Sequence, residues 1–188
     1  PLPATSGSIL AAKLNFWEVD ADGFLKQKQS KQVHETDCRA IAARDDQLIF
    51  TGGTDKDIKA WKTIEGDFEE LFLLQGHEHN VRHLILYGGC LLSGGQDGTV
   101  KLWNLESKKC IYDFTTHTHY FFIKSLAFTG RYTISSDDNK VWKIFDTWTL
   151  QEAWTIKERG NAIDVCAAHK DFFLLGSESQ LRVMGWDG

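Results

Sequence analysis

The chain has 188 residues, 42% apolar and 25% charged, with 16 Gly, 2 Pro and 7 Trp. That composition excludes a disordered, collagenous or low-complexity chain and allows one domain or part of one. Net charge is -5, from 21 basic and 26 acidic residues with the signs interspersed, so no basic footprint marks a nucleic-acid surface.

Cys38, Cys90, Cys110 and Cys166 are scattered without a CxxC pair, as free thiols of a reducing compartment are. No apolar run approaches the roughly 20 residues of a membrane span, and the opening PLPATSGSIL lacks the basic and apolar regions of a signal peptide. The expectation is an intracellular protein, cytoplasmic or nuclear, with neither membrane nor nucleic acid as partner.

In chain order, Leu14 to Trp17 (LNFW), with Phe24 seven residues beyond Trp17, reads as the last hairpin of a partial four-stranded unit at about 9–30. The polar segment Ala21 to Lys31 is its edge strand and exit loop. Next, Ile49 to Trp61, Leu91 to Trp103 and Thr133 to Phe145 align without a gap, and their final aromatics are 42 residues apart both times. Each segment joins two alternating stretches through Asp, Asn or Gly, which predicts a β-hairpin because those residues tolerate the turn's backbone angles.

Apolar runs flank each hairpin: Cys38 to Ala43, Val81 to Tyr87 and Phe121 to Phe128 before, and Phe68 to Leu74, Cys110 to Phe114 and Glu152 to Ile156 after. The unit is thus four short strands, repeated at about 31–75, 76–116, 117–158 and 159–188. In the last, Ala162 to Ala167 and Phe172 to Trp186 supply three strands, and Met184 and Trp186 compete for the repeating aromatic position.

This period, with Gly76-His77 opening a unit and Trp103-Asn104 closing it, resembles the WD40 repeat family of β-propellers. The resemblance implies an all-β fold of four-stranded antiparallel blades, about four of them here. The ring is then incomplete, to be closed by a missing segment or a second chain. It also implies a network running from an indole N–H to a Ser or Thr hydroxyl, a His and a turn Asp. Trp103, Ser93, His77 and Asp97 match in one unit, and Trp61, Thr51, His34 and Asp55 in the unit before. In the unit after, His119, Ser135 and Asn139 fall in register while Phe145 lacks the indole, leaving His79 and His117 as spare loop residues.

Ser93, His77 and Asp97 are also the residue types of a hydrolytic triad, but Ser93 lies mid-strand and no G-x-S-x-G elbow occurs, so the structural network is favoured and no catalytic residue is assigned. The His-x-His pairs at 77–79 and 117–119 read as loop residues, and neither a metal nor a cofactor is expected. What remains is a non-catalytic interaction scaffold or adaptor for a protein or peptide. The alternatives are an enzyme with its site at the channel mouth and a structural half of a larger propeller. By the family resemblance, contact candidates are the loop residues Thr36, His79, Asn80 and Tyr120 and the turn residues Thr54, Gln96 and Asp138. Trp148, in a turn at the outer part of its unit, is a further candidate.

Overall fold

The computed structural model describes residues 11–44, 47–64, 67–115, 117, 122–157, 163–177 and 180–186. Every regular element among them is a β-strand. A hairpin of β1 (Ala12–Val19) and β2 (Leu25–His34) comes first, turned by Asp20, whose Oδ1 accepts the amides of Asp22 and Phe24 at 3.1 and 2.8 Å.

Three four-stranded antiparallel meanders follow. They are β3 (Cys38–Arg44), β4 (Leu48–Gly53), β5 (Ile58–Ile64) and β6 (Asp67–Leu74); β7 (Val81–Tyr87), β8 (Cys90–Gly95), β9 (Thr99–Asn104) and β10 (Lys109–Thr115); and β11 (Ile123–Phe128), β12 (Tyr132–Asp137), β13 (Val141–Asp146) and β14 (Gln151–Lys157). β15 (Ile163–Ala168), β16 (Phe172–Ser177) and β17 (Leu181–Gly185) form a last, three-stranded sheet.

The period-2 alternation of each strand sends side chains to two neighbours at once. On β9, Val100 and Leu102 join Ile123 and Phe145 of the next sheet, whereas Trp103 joins Phe50 and Ile58 of the preceding one. One apolar cluster therefore fills each junction. The third holds Trp142 of β13 against Cys166 and Phe173, where the earlier sheets place Ile58 and Val100. The first strands lie side by side, β3 with β7, β7 with β11 and β11 with β15, so the sheets stand as blades about a common axis.

Register settles the last repeat. Trp61 pairs with Ile49, Trp103 with Leu91, Phe145 with Thr133 and Met184 with Phe173. Met184 therefore holds the repeating position, and Trp186, just past the end of β17, stacks on Tyr132 with ring centroids 4.6 Å apart. In the N-terminal hairpin Phe16 meets Phe68 edge-on while Trp17 is 49% exposed. A second 42-residue repeat runs along the third strands: Lys59, Lys101 and Lys143 pair with Glu70, Asp113 and Glu152 of the adjacent outer strands.

The turn networks and the loop-bearing face

In the second blade the Trp103 Nε1–H donates to Ser93 Oγ at 2.8 Å, Ser93 Oγ lies 2.6 Å from His77 Nε2, and His77 Nδ1 lies 2.8 Å from Asp97 Oδ2. One proton assignment satisfies all three contacts: the indole donates to Ser, Ser to Nε2, and Nδ1–H to the carboxylate. Asp97 also accepts the Glu78 amide and both the amide and hydroxyl of Thr99. Burial alone would raise the Asp97 carboxyl. The bonds from His77 and Thr99 outweigh it and hold the group well below the ordinary carboxylate range.

The first blade repeats the chain. Trp61 Nε1 donates to Thr51 Oγ1 at 2.8 Å, His34 Nε2 is 2.9 Å from that oxygen, and His34 Nδ1 is 2.8 Å from Asp55 Oδ2. Thr51, Ser93 and His34 are buried to 1% exposure or less. A hydroxyl so enclosed, with its proton committed to imidazole and its lone pair to indole, has no path to an electrophile. It fastens the loop before the blade to the turn inside it, because each buried polar group finds its partner within the chain of bonds.

The third blade departs from the sequence expectation. His117, read as a spare loop residue, is the imidazole of this network: its Nδ1 lies 2.8 Å from Asp137 Oδ2 and its Nε2 3.1 Å from Ser135 Oγ. His119 lies outside the described residues. The carboxylate comes from Asp137 at the end of β12 rather than from the turn residue Asn139, which is exposed. Geometry explains the exchange. The aligned positions in the other blades are Gly53 and Gly95, where an added Cβ would stand 2.4 Å from the turn Asp carboxylate and 2.5 or 2.6 Å from the His ring. A side chain at this site therefore excludes the turn carboxylate, and Asp137 supplies its own. Asp137 Oδ1 accepts the Val141 amide at 2.8 Å, and its pKa is held down against burial by these bonds.

Above these networks the loop and turn candidates meet in pairs. Thr54 Oγ1 donates to Thr36 Oγ1 at 2.5 Å, backed by Thr54 N to Asp37 O at 2.9 Å. Asn80 Nδ2 donates to Gln96 Oε1 at 2.9 Å, backed by Gln96 N to Asn80 O at 2.8 Å. His79 is exposed beside them. Asp138 holds the same position in the third blade, and its buried Oδ1 accepts no hydrogen bond among the described residues; Tyr120 lies outside them. Trp148 is not on this face. It sits in the β13–β14 turn at the opposite end of the blades, 74% exposed.

Antiparallel four-stranded blades, packed first strand to first strand and each fastened by an imidazole–carboxylate pair, define a β-propeller of the WD40 type. A family model described as "WD domain, G-beta repeat" matches residues 68–104, and the chain belongs to the WD40-repeat family. It is 26% identical to mouse pre-mRNA-processing factor 19 over 155 residues, covering 78% of this chain and 30% of that protein. It is 28% identical to Arabidopsis thaliana WD repeat-containing protein 55, covering 61% and 33%, and 30% identical to Candida albicans cell division control protein 4, covering 56% and 18%. The chain thus spans about a third or less of the curated relatives it matches. Among solved structures, the computationally designed Ika8 protein superposes with a TM-score of 0.75 at 22% identity, over 87% of this chain and 50% of that one. Among the described residues no helix is long and apolar enough to cross a membrane.

Proposed function

We propose that this chain is a non-catalytic interaction scaffold, an adaptor that offers the face carrying Thr36, Thr54, Asn80 and Gln96 to a protein or peptide partner within an intracellular assembly. The observation that carries the reading is the pairing of each loop residue with its turn residue, Thr36 with Thr54 and Asn80 with Gln96. Directly beneath lie the His34–Asp55 and His77–Asp97 pairs. Contact side chains fixed before the partner arrives lose little conformational entropy on binding, which is how a rigid rim gains affinity. The WD40 relatives support the same coarse role.

Affinity capture with the intact chain tests it. Partners recovered with the parent protein and depleted roughly tenfold with Asn80→Ala/Gln96→Ala, at unchanged thermal midpoint, are the expected result. An identical partner set with both proteins removes this face from the reading.

A further inference from the structure

The opposite end of the blades carries a surface of different character. Two cavities open there, at successive junctions. The first, about 520 Å³, lies between the first and second complete blades and is lined by Arg44, Leu48, Lys62, Phe72, Leu105 and Glu106 among others. The second, about 230 Å³, lies between the second and third blades, where Tyr87, Cys90, Leu92, Leu102, Phe128 and Trp148 form most of its wall. The β7–β8 turn joins them: Gly89 borders the first cavity and Tyr87 and Cys90 the second. Arg44 reaches the same turn through the Gly88 carbonyl at 3.4 Å.

The two cavities differ in chemistry. In the first, Arg44 and Lys62 face one acid among the described lining residues, Glu106, with Glu69 opposite Lys62 in the β5–β6 register, and Lys108 adds a third cation, its Nζ 4.9 Å from the centroid of the Phe72 ring. Lys62 is exposed, and its ammonium makes no ion pair among the described residues; Asp45 and Asp46, which follow Arg44 in the sequence, lie outside them. Two cations without an ion-pair partner among the described residues, Arg44 and Lys62, are complementary to a carboxylate. The second cavity is apolar and stands between two aromatics left in water, Trp148 at 74% and Tyr87 at 56% exposure. Arg131 is already matched by Asp146 at 2.8 Å, and its guanidinium carbon lies 5.5 Å from the Trp148 ring centroid. That rim holds the indole in place and asks nothing further of a ligand.

We propose that this strip is the docking site for an extended segment of a partner protein, bearing an aromatic or long aliphatic side chain for the Tyr87–Trp148 cavity and a carboxylate for Arg44 and Lys62. The spacing follows from the blades. Packed sheets lie about 10 Å apart and an extended chain rises about 3.3 Å per residue, so anchor and carboxylate stand about three residues apart. Burial of the two exposed aromatics supplies affinity, and the charge pairing sets the direction of the segment. This surface is separate from the loop-bearing face and does not rest on its role.

A phage-displayed random peptide library, panned on the intact chain, tests the proposal. The enriched peptides are expected to share an apolar anchor with Asp or Glu about three residues from it. Their affinity falls roughly tenfold with Trp148→Ser and with Lys62→Glu and is unchanged with Asn80→Ala, each variant keeping its thermal midpoint. Bound peptide also slows alkylation of Cys90, mapped by mass spectrometry, while Cys110 on the outer strand β10 reacts as before. Failure to enrich any peptide, enrichment without the acid, or binding that survives Trp148→Ser and yields to Asn80→Ala would each overturn the assignment.

Discussion

Removal of the Asp137 carboxylate strands His117, because Asn139 is exposed in its turn and brings no carboxylate to the ring. Asp137→Gly is therefore expected to cost about 1–3 kcal/mol, the penalty for an unsatisfied buried polar group. The double variant Asp137→Gly/Asn139→Asp recreates the Gly-x-Asp arrangement of Gly53 to Asp55 and Gly95 to Asp97, and should recover more than half of that loss in equilibrium denaturation. Equal loss in both variants would mean the two carboxylate sources are not interchangeable. The same position explains what was legible at this scale. His34 lies 17 residues before Thr51 and His77 16 before Ser93, so counting back from Ser135 favours His119. The interval is in fact 18, two residues more than in the second blade. The visible signal was Asp137 itself, a side chain where two repeats have glycine.

Among the elements, β7 and β11 are joined by a polar link as well as by apolar packing. His83 on β7 lies 3.1 Å from the Ile123 carbonyl at the start of β11, and Nε2 donates the bond. Burial pushes the His83 pKa below the ordinary imidazole value, only partly offset by that carbonyl. The folded protein thus refuses a proton that the unfolded chain accepts near pH 6.5. Stability is complete above that pH and declines as pH falls below it. The thermal midpoint should drop between roughly pH 7 and pH 5, and His83→Gln, which retains a donor, should flatten the decline; parallel profiles would clear His83. Strand positions were readable because apolar alternation and turn residues recur at a fixed spacing through Trp61, Trp103 and Phe145. Phe16 and Trp17 were not separable in that way, since adjacent aromatics on one strand face opposite sides and only the neighbouring Phe68 decides which is covered.

For the whole molecule, each sheet touches chiefly the sheets before and after it, so stability is distributed as in a linear repeat array. Amide exchange should be slowest in β8 and β9, where Leu91, Leu92 and Val100 are at most 1% exposed, and fastest in the β1–β2 hairpin, where Val19 and Leu25 are 63% and 68% exposed. Uniform protection would show that the blades open together instead.

Each imidazole–carboxylate chain fastens a complete blade's turn to the segment leading into that blade, His34 standing at the end of β2, whereas the faces between blades are closed mainly by hydrocarbon. Cooling weakens hydrocarbon burial more than it weakens such bonds. Chilled, this molecule would delaminate, its leaves parting while each stays stitched along its own seam.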